Sequence, residues 1–296
     1  MLLDEIKKEN DIKNIPVEEL PQLAGEIRTF LLEHLSRTGG HLASNLGAVE
    51  LTMALHYVFQ LPEDKIIWDV GHQSYTHKIL TGRKEGFDHL RMLGGMSGFP
   101  KRSESPCDAF DTGHSSTSIS AGMGYVCARE LNKENYQVVS VIGDGALTGG
   151  MAYEALNNAS QLKSNFIIVL NDIEMSISKN VGGISSYLGN LRTADSYNDL
   201  KTGVKKGLNK IPGIGPATVK KIHKAKDSMK RLIIPGMFFE DMGITYLGPV
   251  NGHDCGRMIQ VFQEARRIQG PVLVHVKTEK LSLIHISEPT RLQLIS

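Results

Sequence analysis

Cysteine, excess charge and long apolar runs are all scarce in this chain of 296 residues, and each scarcity excludes a class of protein. The three cysteines, Cys107, Cys127 and Cys255, are too few and too scattered for a disulfide framework or a cysteine-based zinc site. The 33 basic and 32 acidic residues leave a net charge of +1, which argues against a basic nucleic-acid coat and against a disordered chain.

The chain also lacks the apolar segments that mark membrane and secreted proteins. No apolar run approaches the roughly 20 residues of a membrane span. The first residues are charged from Asp4 onward and lack the apolar core of a signal peptide. We therefore expect a soluble, cytoplasmic protein with no membrane partner.

Short apolar segments rich in valine and isoleucine alternate with segments of helical periodicity. The apolar segments predict strands buried on both faces of a parallel sheet, at residues 66–70, 138–142, 166–170 and 272–276. Helices are predicted at residues 116–131, 151–162 and 253–268. Because strands and helices alternate along the chain, the sequence predicts an α/β fold with a doubly wound, mostly parallel sheet.

The end of the chain differs in character from the rest. Residues 281–291 read LSLIHISEPTR, which resembles the translated sequence of a transposon-type sequencing adapter. We interpret residues 281–296 as a non-native tail, and an ordinary amphipathic C-terminal tail is the alternative. Residues 1–280 are then predicted to form one domain, in a natural protein that continues past Lys280.

A second unusual segment, residues 201–231, carries ten basic residues and one acid, Asp227. It contains LNKIPGIGPATVKKI, which resembles the helix–hairpin–helix of DNA-repair proteins, where a glycine-rich turn offers N–H groups to a phosphate. The alternative is a mobile basic insert or linker, since proline and glycine suit a loop equally well. We favour the linker and expect no nucleic-acid partner, because nothing else in the chain points to one.

The turns after two predicted strands carry residues suited to a phosphate and a metal ion. A Gly-Asp-Gly sequence at 143–145 follows one strand, and an Asn-Asp sequence at 171–172 follows the next. Glycine lets the backbone approach a phosphate closely, and Asp144 offers a hard oxygen ligand for Mg²⁺. Because ligands bind beyond the carboxyl ends of parallel strands, a diphosphate and metal site is expected there.

Six segments together resemble the 1-deoxy-D-xylulose-5-phosphate synthase family. They lie in order between residue 1 and about residue 280, where the family has the first, cofactor-binding part of a three-domain enzyme. Transketolases share the layout but not these sequences. The segments are TGGHLASNLGAVELTMALHYVF, WDVGHQSYTHKILTGR, GHSSTSISAGMG, GDGALTGGMAYEALNNA, NDIEMSIS and FFEDMGITYLGPVNGHD.

The resemblance implies a reaction, cofactors and partners. Pyruvate would be decarboxylated on thiamine diphosphate, held with Mg²⁺, and its two-carbon unit added to glyceraldehyde 3-phosphate. The cofactor carries the carbanion chemistry, and the protein orients and protonates. The family also implies a homodimer. One alternative is the N-terminal subunit of a split transketolase-like enzyme, and a more remote one is a DNA-binding module built on residues 201–231.

The resemblance also implies roles for individual residues. His41 is expected to move protons on the substrate, and His72 to contact the diphosphate or the intermediate, so both are candidate catalytic residues. Each follows a glycine at an expected element end, and imidazole titrates near neutral pH. Six other histidines are expected to be structural or superficial: His34, His56, His77, His89, His223 and His275.

The remaining matched positions are expected to bind the cofactor and the metal. The thiamine would be supported by Gly113, His114 and Ser115, the diphosphate bound by His72, Gly145 and Ala146, and Mg²⁺ held by the Asp144 carboxylate and the Met175 carbonyl. Ser115 or Ser116 is also expected to cap the helix that follows.

One matched position departs from the family pattern. The family has asparagine, a metal and cofactor ligand, where this chain has Ile173. Isoleucine offers no oxygen to Mg²⁺, so weak metal and cofactor binding is expected unless Ile173 is a sequencing error. The family's other domains supply the acid that activates the cofactor and the sugar-phosphate site. We therefore expect the isolated chain to be inactive.

Overall fold

A parallel sheet of five strands forms the centre of the protein, seen in a computed structural model that describes residues 1–173, 183, 187, 188 and 237–279. The strand order is β1-β2-β3-β5-β4. The strands are β1 (Lys65–Trp68), β2 (Val138–Gly143), β3 (Phe166–Asp172), β4 (Thr245–Asn251) and β5 (Pro271–Lys277).

Helices surround the sheet and connect its strands. The α-helices are α1 (Leu20–Thr38), α2 (Leu42–Gly47), α3 (Val49–Val58), α4 (Tyr75–Leu80), α5 (Ser118–Asn132), α6 (Asp144–Leu147), α7 (Gly150–Ala159), α8 (Met237–Asp241) and α9 (Cys255–Ala265). Short 3-10 helices lie at Leu2–Glu5, Asp11–Asn14, Val17–Glu19 and Lys84–His89.

The sheet separates two apolar cores, one on each face. Alternate residues of a strand point to opposite faces, so Val139 and Val141 of β2 pack with helices α1, α3 and α9, while Val138 and Ile142 pack with α5 and α7. All seven residues of β3 are buried. A strand covered on both faces reads as a continuous apolar run, and the predicted doubly wound α/β fold is confirmed.

The four predicted strands and three predicted helices are all present, and their ends shift by a few residues. The first strand ends at Trp68 because Val70 adopts a left-handed backbone with φ of 60°, followed by Gly71 at 92°. Strand β4 was not predicted. It lies at the edge of the sheet, alternates between buried and half-buried residues, and contains Pro249, which edge strands tolerate.

Three sequence predictions concern segments outside the described residues: the basic segment at 201–231, the tail at 281–296 and the carbonyl of Met175. They stay predictions. In the part of the chain that the structure does describe, no helix is both long and apolar enough to cross a membrane.

Candidate active site

His41 and His72 come together, although 31 positions separate them along the chain. His41 directly precedes α2, and His72 lies in the turn between β1 and α4. Their ring centroids are 5.5 Å apart in an edge-to-face arrangement, and the Phe99 ring lies 6.1 Å from that of His41. Two groups able to exchange protons therefore face each other near the carboxyl end of β1.

The side chain of Asn45 connects the backbones that carry the two histidines. Its Nδ2 donates to the carbonyl oxygens of His41 at 2.6 Å and His72 at 2.7 Å, and its Oδ1 accepts from the N–H of Tyr75 at 2.9 Å. The N–H of His41 in turn donates to the hydroxyl of Tyr75 at 3.4 Å. Asn45 is fully buried, so the α2 and α4 segments are joined inside the protein.

The carboxyl end of β1 supports the segment expected to hold thiamine. The buried carboxylate of Asp69 accepts hydrogen bonds from the N–H groups of Ser116 at 2.7 Å and Ser118 at 2.9 Å. The prediction that Ser115 or Ser116 caps α5 is wrong: the residue before the helix is Thr117, and Asp69 accepts from the N–H of Ser118, the first residue of the helix. Just before this point, Gly113, His114 and Ser115 are exposed.

The turn after β2 carries the buried Asp144, with Gly145 and Ala146 half-buried beside it. Asp144 opens the short helix α6, whose first N–H groups have no partner within the helix. The hydroxyl of Ser116 donates to the carbonyl oxygen of Ala146 at 2.7 Å. The segment before α5, which accepts support from Asp69, thus also contacts the turn after β2.

The end of β3 is held by hydrogen bonds on two sides. Asn171 pairs with Gly143 in the sheet register. Its Nδ2 donates to Gln73 Oε1 at 3.3 Å, and its Oδ1 accepts from the hydroxyl of Thr278 at 2.6 Å. Because both ends of the Asn171 amide have partners in the protein, this residue is poorly placed to replace the oxygen missing at Ile173.

Asp172, the next residue, points to the other side of β3 and belongs to a buried chain of polar groups. His275 Nε2 lies 2.9 Å from a carboxylate oxygen of Asp172, and His275 Nδ1 lies 2.7 Å from the hydroxyl of Tyr246. All three side chains are buried. The chain links β3, β5 and β4 and fixes the end of β3, which agrees with the structural role predicted for His275.

A second buried network joins α3 and α4. His56 on α3 contacts His77 on α4, and His77 contacts the Asp108 carboxylate, which also accepts two hydrogen bonds from Arg83 at 2.7 Å. Burial opposes ionisation of Asp108, but hydrogen bonds from His77 and Arg83 hold its pKa well below the usual range. Burial lowers the pKa values of His56 and His77, so both are neutral.

The side-chain oxygens at this edge suit a metal ion incompletely. Asp144 offers a carboxylate, while Ile173 is half-buried and has no donor atom. Among the described residues, no group of three histidine, cysteine or acidic side chains could hold a metal ion. The described side chains therefore offer Mg²⁺ one oxygen ligand at this edge, the carboxylate of Asp144.

Sequence reasoning found the glycine-marked turns but missed the residues that support them. Asn45, Asp69, Gln73 and Thr278 are all buried or nearly so and donate to or accept from the site segments. Asp69 carries a signal that could have found it, since an acid directly after an apolar strand stands at a ligand-binding edge. Asn45 carries none, because two of its three partners, His72 and Tyr75, are distant in sequence.

Comparisons with known proteins agree on one family. A sequence profile of the 1-deoxy-D-xylulose-5-phosphate synthase family matches residues 3–278. Proteins of that name from Lachnoclostridium phytofermentans and Clostridium acetobutylicum are 61% and 57% identical over 279 residues, which is 94% of this chain. The match covers 45% of each relative, so the chain spans less than half their length.

Solved structures support the fold. Transketolase from Campylobacter jejuni superposes with a TM-score of 0.62 at 20% identity, covering 89% of this chain and 38% of the other. Transketolase from Leishmania mexicana gives 0.60 at 16% identity, covering 89% and 37%. At such identities the likeness concerns the fold alone, and the sequence profile decides the family. The chain belongs to the 1-deoxy-D-xylulose-5-phosphate synthase family.

Proposed function

We propose that this chain is the cofactor-binding part of an enzyme that joins pyruvate and glyceraldehyde 3-phosphate, with loss of carbon dioxide, into 1-deoxy-D-xylulose 5-phosphate. Family membership supports the reaction. Because the chain spans 45% of its relatives' length, the reaction is proposed for this chain together with the segments that the relatives have beyond the match. A homodimer and a cytoplasmic location are proposed with it.

The observation that carries the proposal is the meeting of His41 and His72, with ring centroids 5.5 Å apart, near the carboxyl end of β1. Imidazole accepts and donates protons near neutral pH, and a general acid or base must lie within hydrogen-bond reach of the atom it serves. Two histidines at this separation can serve neighbouring atoms of one bound substrate.

The residues at this edge suit thiamine diphosphate. The exposed Gly113–Ser115 segment, supported by Asp69 through Ser116, would contact the thiamine. The N–H groups of Gly145 and Ala146 open α6 and would donate to the diphosphate. When bound, the cofactor supplies the electron sink that stabilises the carbanion left after pyruvate loses carbon dioxide. The protein orients the substrate and moves protons through His41 and His72.

We also propose Mg²⁺ as a cofactor of the complete enzyme. The Asp144 carboxylate would be a ligand, and the Met175 carbonyl is a further ligand proposed from the sequence. The Ile173 side chain supplies nothing where the family has an amide, so we assign no step of the reaction to the metal.

A chimeric enzyme tests the function. Residues 1–278 of this chain replace the matching part of the relative from Lachnoclostridium phytofermentans, which is 61% identical, and product formed from pyruvate and glyceraldehyde 3-phosphate is followed by NMR. A second chimera carries Ile173→Asn. We expect the second chimera to form product, and the first to form less. Replacing His41 or His72 with glutamine in the second chimera is expected to lower the rate of product formation by about 100-fold or more.

The exposed His89 supplies the control, as His89→Gln, and is expected to leave the rate unchanged. If the folded Ile173→Asn chimera made no product, the proposed function would be wrong. If His41→Gln and His72→Gln left its rate unchanged, the proposed catalytic roles would be wrong while the reaction itself stood.

A further inference from the structure

The arrangement of the histidine pair depends on one amide side chain. Both N–H bonds of Asn45 donate to backbone carbonyls, those of His41 and His72, and its oxygen accepts from the N–H of Tyr75. Two carbonyl acceptors and one N–H donor fix which end of the amide is nitrogen and which is oxygen. No other side-chain type of this size offers two donors and an acceptor in this geometry.

The hydrogen bonds of Asn45 join the two segments that carry His41 and His72, and the separation of these segments decides whether the two rings are in contact. His41 is the residue before α2, and His72 lies in the turn before α4. The Tyr75 ring packs beneath the first segment: a Cβ on Gly40 would lie 2.8 Å from its hydroxyl oxygen, and Gly40 has φ of 142°. Tyr75 therefore packs against the backbone that carries His41, and Asn45 connects that backbone to the backbone of His72.

We infer that Asn45 is a positioning residue that sets the separation and mutual orientation of the His41 and His72 rings. The inference rests on the proposed function only for its consequence in catalysis. The positioning itself is a property of the protein without ligand. Asn45 is fully buried and acts on the two histidines through their backbone carbonyls.

A matched control residue lies at the amino ends of the strands, at the end of the sheet opposite the candidate site. Asn165, just before β3, is also nearly buried, and its Nδ2 also donates to two backbone carbonyls, those of Ala265 at 2.8 Å and Ile268 at 2.7 Å. Asn165→Asp removes the same two donors as Asn45→Asp and introduces the same carboxylate. Only Asn45 lies beside the histidine pair.

The test uses the 296-residue chain labelled with ¹³C-histidine, without cofactor. Ring-to-ring NOE signals between His41 and His72, assigned with His41→Gln and His72→Gln, report their contact. We expect a strong signal in the unchanged chain and in Asn165→Asp, and its loss in Asn45→Asp. If Asn45→Asp does not fold, Asn45→Ala serves, because it removes the donors without burying a charge. Retention of the signal in a folded Asn45 variant overturns the inference.

Thiamine diphosphate titration of the same proteins measures the consequence of this positioning for cofactor binding, and the chimera described above tests the proposed function separately. We expect at least tenfold weaker binding in the Asn45 variant and a change below twofold in Asn165→Asp. If the NOE is lost in the Asn45 variant while the folded Ile173→Asn chimera makes no product, the positioning role stands and the proposed function is contradicted.

Discussion

His56 Nε2 lies 2.9 Å from His77 Nδ1, and both rings are fully buried. His77 Nε2 faces the ionised Asp108 carboxylate, so it carries a proton, and Nδ1 of the neutral ring accepts from the N–H of His56. A proton added to His77 Nδ1 would face the His56 N–H. The nearby positive charges of Arg83 and Lys78 also oppose protonation of His77.

This pair predicts a loss of stability in acid. Burial lowers the pKa of His56 well below 6.5, and burial also lowers the pKa of His77. Below about pH 6.5 the unfolded chain therefore binds protons that the folded chain does not. As the pH is lowered below 6.5, the free energy of unfolding should fall by about 1.4 kcal/mol per pH unit for each histidine. This loss ends when the pH reaches the folded-state pKa of that histidine.

Denaturant unfolding between pH 5 and pH 8 measures this slope. His56→Gln keeps an amide N–H that can reach His77 but cannot titrate, so its slope should be smaller by one histidine's share. The unchanged chain, measured over the same pH range, is the reference. Equal slopes for the unchanged chain and His56→Gln would contradict the prediction.

Replacing either of two glycines of α5 with alanine adds the same methyl group, and we expect opposite effects on stability. A Cβ on Gly122 would lie 2.3 Å from Ser140 Oγ and 2.7 Å from a ring carbon of Phe166, whereas a Cβ on Gly124 meets nothing within 4 Å. Gly122→Ala should therefore destabilise by about 1–3 kcal/mol through overpacking against β2 and β3. Gly124→Ala should stabilise by about 0.5–1 kcal/mol, since alanine is the better helix former.

Denaturant unfolding of the two alanine variants checks this pair. Because the same atoms are added to the same helix, propensity cancels in the comparison and contact with the sheet remains. A Gly122→Ala protein as stable as Gly124→Ala would show that α5 lies further from β2 than the structure places it.

The sequence was informative where local composition reflects burial. Strands β2, β3 and β5 are covered on both faces, so each is a run of apolar residues that could be recognised without knowing its neighbours. Strand β4 lies at the edge with alternate residues half-buried, and its glycine and proline resemble those of a loop.

In the candidate site, too, the residues with a local sequence signal were predicted and the residues that depend on distant contacts were not. Glycine-bearing turns at strand ends are local signals, and they led to Asp144 and His72. The supporting hydrogen bonds join residues distant in sequence: Asn45 and Tyr75 are 30 positions apart, and Asp69 and Ser116 are 47 apart. A polar residue in a short helix looks the same in the sequence whether it faces solvent or two buried carbonyls.

We expect Asp69→Asn to destabilise the protein, because the wild-type side chain uses both carboxylate oxygens as acceptors. Each oxygen accepts one N–H, from Ser116 and from Ser118. In Asp69→Asn one of these N–H groups would face an NH₂ group, which should cost about 1–3 kcal/mol and speed hydrogen exchange at Ser116 and Ser118. Weaker thiamine diphosphate binding should follow, because the Gly113–Ser115 segment loses its support.

Asp254 provides the comparison for Asp69. It caps α9 by accepting from the N–H of Arg257 at 2.9 Å, but it is exposed and uses one oxygen for this bond. Asparagine caps helices as well as aspartate does, so Asp254→Asn should change stability little. If both variants lost the same stability, the buried two-oxygen geometry of Asp69 would not be the cause.

Ile173 predicts a gain of function. Asparagine at this position would add an amide oxygen beside the Asp144 turn, while Asn171 is already bonded to Thr278 and Gln73. Ile173→Asn should therefore bind Mg²⁺ with thiamine diphosphate about tenfold or more tightly than the unchanged chain, since Mg²⁺ requires oxygen ligands. Calorimetric titration with and without Mg²⁺ measures the difference.

Ile173→Leu separates the metal ligand from mere removal of a β-branched side chain. Leucine is as apolar as isoleucine and offers no oxygen, so its affinity should match that of the unchanged chain. The gain in Ile173→Asn should also shrink when Mg²⁺ is removed, because the added oxygen acts on the metal and not on the thiamine. Equal dissociation constants for Ile173→Asn and Ile173→Leu in the presence of Mg²⁺ would show that position 173 is not a ligand, and would leave the Asp144 carboxylate to bind the metal without a neighbouring side-chain amide.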